Sequence, residues 1–507
     1  NDIRARVVDS ITAQGPSQTL RGPAAMYSTT RALISLGASI LGVALFVMMS
    51  NRGLMSMDEV AFVEARQAEI LSPHEDVPLP YPLVHPPVIT RDMIPAGSLG
   101  EDGTDADDTE PVPAGDTMDV YPRAMLHEKG RALLRDGKVA VVTVAGGQGT
   151  RLGHPLPKGT FQLDLQQGFS PSLFEFLSGQ IRHASEVYET PIPWLVMCSG
   201  ATYDATLDYM REKEWLGVGE ENVHLFNQAS YPLLVYPTGE VCMDEKGQVR
   251  RGPDGHGGLL AALETAGLYD SLQSQGVTTL LYSHVDNPLS NLFDLDFIGL
   301  HTVNRAEHTT KVISKAFPLE KLGGVVLTHP EQGVHGGVQT IEYSDMTDDQ
   351  KVDAEGNAVL PHGTFGVCIF DLAFLARVNA EEGLPWHQAI KAVKRPDGTV
   401  TDQKAYKFER FVFDTMISLR RPQAVPFLLV DRDREFAPLK NREGVDSPET
   451  VSELVRSNLL RVGRSAAHQA GLPLPVGCLP DIPWLFDEQG LVDRLIESGQ
   501  WSDLLIC

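Results

Sequence analysis

The strongest constraint on the fold is a glycine-rich loop that follows directly on an apolar segment. Residues 138–145 (KVAVVTVA) have the pattern of a buried strand, and they lead into GGQGTRLGHPLPKG at residues 146–159. Glycines lack a Cβ atom, so the backbone N–H groups of such a loop can approach an anion closely and form a nest around it. The sequence therefore predicts an anion-binding loop at the end of a buried strand.

Two cations in the loop point to phosphate as the anion. Arg151 and Lys158 lie seven residues apart, so an arginine fork and a lysine point charge can converge on one ligand. A tight turn with solvated basic residues is the alternative. The P-loop pattern GxxxxGK[ST] fits less well, because Pro157 stands where its second glycine belongs. The glycines give only GxGxxxG, which leaves a dinucleotide-dependent oxidoreductase as a distant alternative.

Later apolar runs alternate with helical stretches. The runs that predict strands lie at 193–198, 278–285, 310–313, 366–370 and 424–430. Helices are predicted at 122–135 and around 487–505, and FERFVFD at 408–414 also has the pattern of an amphipathic helix. This alternation predicts an α/β fold with a Rossmann-like, mostly parallel sheet and helices on both of its faces.

The chain is expected to have three parts: an N-terminal extension at 1–120, an α/β domain at 121–430 and a small C-terminal domain at 431–507. The extension contains an uncharged apolar run at 32–49. A membrane anchor, a buried helix and translated sequence upstream of the true start all remain open for this run, and membrane contact is not favoured. Residues 101–119 hold eight acids and no Lys or Arg, which is typical of a solvated linker.

Charge and cysteine usage exclude some partners. The chain has 42 Lys and Arg against 67 Asp and Glu, a net charge of −25, which argues against general nucleic-acid binding. The five cysteines are scattered without a CxxC pair or a metal-ligand spacing. We therefore expect free thiols in a reducing, cytoplasmic setting.

A series of further motifs follows the loop. They are IPWLVMCSG (192–200), GPDGHGG (252–258), YSHVDNPL (282–289), KVISK (311–315), IEYSD (341–345), FERFVFD (408–414) and FAPLKN (436–441). Together with AGGQGTRLG and PKG they resemble, in order, the motifs of the eukaryotic-type UDP-sugar pyrophosphorylases, most of all the UDP-N-acetylhexosamine branch. The resemblance implies a nucleotidyltransferase fold and transfer of uridylyl from UTP to a sugar 1-phosphate, with release of pyrophosphate.

The resemblance also implies roles for particular residues. The phosphate-facing cations would be Arg151, Lys158, Lys315 and Lys440. The nucleotide would be held by Gly146, Gly147, Gln228, Gly255 and His256, with Gln228 reading uracil. The sugar would be bound by Glu342, Gly363 and Thr364. Asp286, which follows the predicted strand at 278–285, would hold Mg²⁺ or Mn²⁺; taken alone, it could merely begin a turn.

Two departures from the hexosamine pattern fall on the sugar side of the predicted site. His256 replaces the Asn of PDGNGG, and Gly363-Thr364 stands where the family has a sugar-facing Gly-Asn pair. N-acetylglucosamine 1-phosphate is the expected sugar substrate, while a UDP-glucose or UDP-galactose (broad UDP-sugar) pyrophosphorylase is the alternative. A noncatalytic nucleotide-sugar binding protein is a remote third hypothesis, because a pure binder has no need for cations on the leaving group.

Overall fold

The computed structural model describes residues 53–71, 86, 88–94, 121–328, 337–343, 346–381, 383–394, 400–421, 425–501 and 504–507. The predicted apolar run at 32–49 and the acidic linker at 101–119 lie outside these residues. Among the described helices, none is both long and apolar enough to cross a bilayer.

The helices and strands fall close to where the hydrophobic pattern predicts them. The helices are α1 (Met57–Leu71), α2 (Arg123–Arg135), α3 (Leu173–Val187), α4 (Tyr203–Glu212), α5 (Leu259–Thr265), α6 (Leu268–Ser274), α7 (Leu295–Val303), α8 (Asp348–Lys351), α9 (Leu372–Ala380), α10 (Arg432–Glu435), α11 (Pro448–Ala470) and α12 (Glu488–Ser498). The strands are β1 (Ile89–Thr90), β2 (Val139–Val144), β3 (Trp194–Cys198), β4 (Val223–Asn227), β5 (Ser230–Pro232), β6 (Leu234–Val235), β7 (Arg251–Pro253), β8 (Thr279–His284), β9 (His308–Ser314), β10 (Gly323–Thr328), β11 (Gly337–Ile341), β12 (His362–Asp371), β13 (His387–Lys394), β14 (Val400–Glu409), β15 (Phe427–Leu429), β16 (Leu479–Pro480) and β17 (Leu505–Ile506).

A large mixed sheet positions the site. Its strands run in the order β1-β15-β9-β12-β8-β2-β3-β4, with β10 paired to β12 and β11 paired to β10. Neighbouring strands are parallel except in two places: β12 runs antiparallel to β8, β9 and β10, and β11 runs antiparallel to β10. Apolar clusters cover both faces, which explains why β2 is buried along almost its whole length. The predicted α/β class is thus confirmed, with β11 and β12 as the strands that pair antiparallel to their neighbours.

The segment at 408–414 differs from its helical pattern. Phe408 and Glu409 end β14, and a 3-10 helix begins only at Val412. The hairpin β13–β14 joins β6 in a separate three-stranded sheet, so cross-strand pairing decides the backbone of this segment. The amphipathic helix is therefore wrong for these residues, because a short apolar run does not distinguish a strand from a helix.

Contacts divide the chain into two compact units. One comprises residues 1–73 and 238–250, the other residues 74–237 and 251–507. In the first, α1 buries Val60 and Val63, and the Gln67 side chain donates to the Gly239 carbonyl at 2.8 Å. In the second, Val451 and Val455 of α11 belong to the same apolar cluster as β2. The boundaries predicted at 120 and 430 stay predictions.

The expectation that all five cysteines are free is wrong for two of them. Cys478 and Cys507 form a disulfide, while Cys198, Cys242 and Cys368 are buried thiols. The pair is 29 residues apart in sequence and shows no motif. The antiparallel pairing of β16 with β17 brings the two cysteines together, and sequence spacing does not reveal that pairing.

Candidate active site

The glycine loop after β2 folds back on itself, so that its lysine returns to its first glycines. Gln148 forms a β-bridge with Pro157, and the Lys158 amide donates to the Gly147 carbonyl at 3.1 Å. Gly153 has φ 72° and closes the short 3-10 helix that carries Arg151. The predicted glycines and Lys158 therefore belong to one compact hairpin at the carboxyl end of the parallel strands.

Gly146 lies directly against Gln228. A Cβ atom on Gly146 would stand 2.5 Å from the Gln228 Nε2 atom, so a larger residue there would displace the Gln228 side chain. The Ser199 hydroxyl donates to the Gly146 carbonyl at 2.9 Å, and the backbone N–H of Gln228 donates to the Cys198 carbonyl at 2.9 Å. The ends of β2, β3 and β4 thus bring together the predicted anion-binding glycine and the predicted base reader.

Lys158 connects the glycine loop to the end of β8. Its Nζ atom donates to the Asp286 carboxylate at 3.1 Å and to the Leu439 carbonyl at 3.0 Å. The Leu439 amide in turn donates to the Asp286 carbonyl at 2.8 Å. Residues from three distant parts of the chain therefore meet at this point of the sheet edge.

The electrostatics keep Asp286 ionised. Burial alone would raise the pKa of its carboxyl, but Lys158, His284 and Lys440 lower this pKa below its usual value. The side chain retains 21% exposure and so remains accessible to a ligand. Burial lowers the pKa of His284, and the Tyr282 hydroxyl lies 2.8 Å from its Nε2 atom.

The remaining predicted cations differ in placement. The Lys440 Nζ atom lies 5.7 Å from the centre of the Phe436 ring, and its charge acts on Asp286. Lys315 follows β9, and burial lowers its pKa while Glu320 opposes that shift. Arg151 is exposed, and no hydrogen bond or ion pair joins its side chain to another residue of the described ranges.

The GPDGHGG loop is fastened to the end of β14. Gly255 has φ 83°, and a Cβ atom there would stand 2.5 Å from the Arg410 carbonyl oxygen. The Val412 amide donates to the Nδ1 atom of His256 at 3.0 Å, and burial holds the pKa of this histidine well below its usual value. The neutral ring therefore carries its proton on Nε2, and it lies 5.3 Å from the ring of His284.

The predicted sugar-facing residues meet around Gly323 on β10. A Cβ atom on Gly323 would stand 3.4 Å from the Glu342 Oε1 atom and 3.6 Å from the Thr364 Oγ1 atom. Thr364 pairs with Gly323 and Gly363 with Gly324 across the two strands. The Thr340 Cγ2 atom would stand 2.9 Å from the same Cβ atom, so Gly323 lets three side chains approach this strand closely.

Several residues that shape the site were missed from sequence. Leu439 contributes a carbonyl, which carries no side-chain signal. The Arg410 guanidinium bonds the buried Asp254 carboxylate and lies 4.5 Å from the centre of the Trp386 ring. Lys311 is fully buried in β9, where it pairs with Glu435. A lysine within a strand that is predicted to be buried is a signal that could have revealed this pair.

These features define the class of protein: a nucleotidyltransferase-like α/β protein, with its ligand-binding groups at the edge of a mixed sheet. The sequence profile of the UTP–glucose-1-phosphate uridylyltransferase family matches residues 98–462. The chain belongs to this family, and it is an enzyme of the uridylyltransferase class.

Relatives and solved structures agree with this assignment. The chain is 32% identical over 395 residues to the human UDP-N-acetylhexosamine pyrophosphorylase-like protein 1, covering 74% of this chain and 75% of the relative. It is 30% identical over 373 residues to the Saccharomyces cerevisiae UDP-N-acetylglucosamine pyrophosphorylase, covering 70% and 74%. The crystal structure of the Trypanosoma brucei uridine diphosphate N-acetylglucosamine pyrophosphorylase superposes with a TM-score of 0.61 at 26% identity, covering 74% of each chain.

Proposed function

We propose that this enzyme converts UTP and N-acetylglucosamine 1-phosphate into UDP-N-acetylglucosamine and pyrophosphate. The observation that carries the proposal is the meeting of Lys158, Asp286 and Leu439 beside the glycine hairpin. With Lys440 also acting on Asp286, two cations face one carboxylate, so the cluster provides net positive charge next to an anion-binding loop, which a transferred phosphate group requires.

The nucleotide is held at the β2–β4 part of the edge. The Gln228 carboxamide offers both a donor and an acceptor to a pyrimidine edge, which suits uracil. The amides of Gly146 and Gly147 hold the phosphate that is attacked, since no Cβ obstructs their approach. Gly255 lets the neighbouring loop approach the nucleoside.

Catalysis then depends on positioning and charge. The sugar phosphate oxygen attacks the α-phosphorus of UTP in line, and pyrophosphate leaves. Lys158 and Lys440 flank Asp286 and stabilise negative charge on the departing pyrophosphate. Arg151 and Lys315 lie at the margins of the same edge and reach the outer phosphates.

The residues present suit Mg²⁺ or Mn²⁺. Within the described part of the chain, no group of three or more His, Cys, Asp or Glu side chains is arranged to hold a metal ion. A single ionised carboxylate, Asp286, fits the usual arrangement in which Mg²⁺ is bound by one carboxylate, water and substrate phosphates. When bound, the ion would neutralise phosphate charge.

The sugar is assigned to the residues that meet beside Gly323. Glu342 accepts hydrogen bonds from sugar hydroxyls, while Gly363 and Thr364 lie next to the same glycine. His256 supports the second candidate, a UDP-glucose or UDP-galactose pyrophosphorylase, because it stands where the hexosamine pattern has asparagine. Its Nδ1 atom accepts from the Val412 amide, so its Nε2–H group is the hydrogen-bond donor. The names of the relatives favour the N-acetylated sugar. A cytoplasmic setting stays a prediction.

The test is pyrophosphate release from UTP with Mg²⁺, each sugar 1-phosphate being supplied separately. We expect turnover with the highest kcat/KM for N-acetylglucosamine 1-phosphate. A higher value for glucose 1-phosphate would replace the first candidate with the second. UTP binding without release of pyrophosphate in the presence of any of the sugar 1-phosphates would contradict both.

A further inference from the structure

Asn287 forms a two-point connection between the end of β8 and a distant loop. It is 3% exposed, and its Nδ2 atom donates to the Glu435 carbonyl at 2.8 Å. Its Oδ1 atom accepts from the Ala437 amide at 2.9 Å. A side chain that serves both a donor and an acceptor of another segment fixes the distance between the two backbones.

Glu435, one of the two residues that Asn287 binds, is itself held by a buried ion pair. The Glu435 carboxylate accepts from the Lys311 Nζ atom at 2.6 Å, and this lysine side chain is fully buried. Lys311 also bonds the Asp294 carboxylate at 2.8 Å and the Asn291 carbonyl at 2.9 Å. Removing one partner from such a buried pair is costly, so Glu435 has little freedom to move.

The loop that Asn287 holds leads directly into the reaction site. Four residues after Glu435, the Leu439 carbonyl accepts from Lys158, and the Leu439 amide donates to the Asp286 carbonyl. Lys440 follows at once and acts on the Asp286 charge. The position of this loop therefore sets where two of the site's cations lie.

We propose that Asn287 is a positioning residue for uridylyl transfer, an inference that rests on the proposed function. Its carboxamide holds residues 435–440 against the end of β8, so that Lys440 and the Leu439 carbonyl stand correctly relative to Lys158 and Asp286. Asn287 touches none of the reacting groups. Its effect on the rate passes through the loop.

The test replaces the carboxamide of Asn287 and compares the result with replacement of a second buried carboxamide. Asn287→Ala removes both contacts, and Asn287→Asp keeps the acceptor for Ala437 while losing the donor to Glu435. Gln180 is the control, because it is also 3% exposed, donates to the Ser290 carbonyl at 3.0 Å and accepts from the Leu292 amide at 3.2 Å. Gln180→Ala therefore removes a similar backbone connection, from residues 290–292, without taking away a direct bond to the loop at 435–440.

We expect Asn287→Ala to lower kcat by about 10²-fold, because a displacement of about 1 Å at reacting groups has an effect of this size. The Kd for UTP should stay within about 3-fold, since base reading at Gln228 is untouched. The KM for pyrophosphate in the reverse reaction should rise, and Asn287→Asp should also lower kcat, because its buried carboxylate would face the Glu435 carbonyl oxygen. Gln180→Ala, with a similar loss of Tm, should keep kcat within about 3-fold.

Hydrogen exchange at the Leu439 amide separates this inference from the proposed function. We expect faster exchange at this amide in both Asn287 variants than in wild type or Gln180→Ala, whether or not the protein turns over UTP. Unchanged exchange in a folded Asn287 variant would overturn the inference. So would a kcat that falls equally in the Asn287 and Gln180 variants, because the effect would then follow stability alone. Failure of wild type to release pyrophosphate would instead reject the proposed function.

Discussion

At the scale of single residues, one substitution tests the proposed catalytic role of the Asp286 carboxylate without disturbing the fold. This carboxylate pairs with Lys158 and is the proposed metal ligand. Asp286→Asn keeps the shape but removes the charge, so we expect kcat to fall by about 10³-fold, in line with several kcal/mol of lost transition-state stabilisation. The Mg²⁺ concentration for half-maximal rate should rise, while Tm stays within a few degrees.

The matched control is Asp353→Asn, which changes an aspartate in an exposed turn. It should leave kcat and the Mg²⁺ dependence unchanged. Near-normal Mg²⁺-dependent turnover in folded Asp286→Asn would remove the metal assignment.

Substitutions at Lys158 and at Gln228 should have different kinetic effects. Lys158→Ala removes a cation that acts on charge developing on pyrophosphate, so kcat should drop by about 10²-fold or more with little change in the Kd for UTP. Gln228→Ala should instead relax the preference for UTP over CTP, since the lost hydrogen bonds act on the base. Steady-state kinetics with both nucleotides distinguish the two. A Lys158→Ala protein altered only in nucleotide preference would reverse the roles.

Thr364 bears on the choice of sugar. Its hydroxyl and the Glu342 carboxylate both lie beside Gly323, and it offers one donor where asparagine offers two. We expect wild type to prefer N-acetylglucosamine 1-phosphate while still using glucose 1-phosphate. Thr364→Asn should raise the kcat/KM ratio of the first to the second by about 10-fold, because such discriminations amount to about 1–3 kcal/mol. A ratio unchanged by the substitution would take Thr364 out of sugar selection.

At the scale of elements, α7 and β9 bury two histidines in neutral form. Burial lowers the pKa of His301 and of His308 to about 3. In the unfolded chain each returns to about 6.5. The unfolded state therefore binds more protons between these values, and the free energy of unfolding must fall as the pH drops below about 6.5.

Denaturant titrations from pH 7 to pH 5 measure this slope. Each buried histidine contributes up to about 1.4 kcal/mol per pH unit. His308→Gln should flatten the slope by about one proton, while His468→Gln, at an exposed position, should leave it unchanged. An identical slope in wild type and His308→Gln would show that His308 is not neutral in the folded protein.

The sequence predicts where the helices and strands lie better than it predicts which strands and residues they contact. The runs at 138–145 and 278–285 became β2 and β8, because strands buried on both faces give continuous apolar stretches. The antiparallel direction of β12 has no such signal, since orientation follows from the chain path between distant elements. For the same reason the side chains of Lys158 and Asp286 could be named as candidates, while the carbonyl of Leu439 and the connection through Asn287 could not.

At the scale of the whole molecule, every predicted site residue lies after Val144. We therefore expect a protein lacking residues 1–50 to retain uridylyl transfer with kcat within about 3-fold of the full chain. Pyrophosphate release by the two proteins, at equal concentrations and with Tm measured alongside, provides the comparison. A truncated protein that folds but no longer binds UTP would show that this segment supports the site.

The antiparallel strand β12, between β8 and β9, has a consequence for how such enzymes diverge. The residues proposed to face the sugar lie at the start of β12 and beside β10, whereas those proposed to face uridine follow β2 and β4. The two sets occupy different strands, so mutations can accumulate in one without disturbing the other. A lineage can therefore drift from one activated sugar to another while selection preserves the same nucleotide chemistry at every generation.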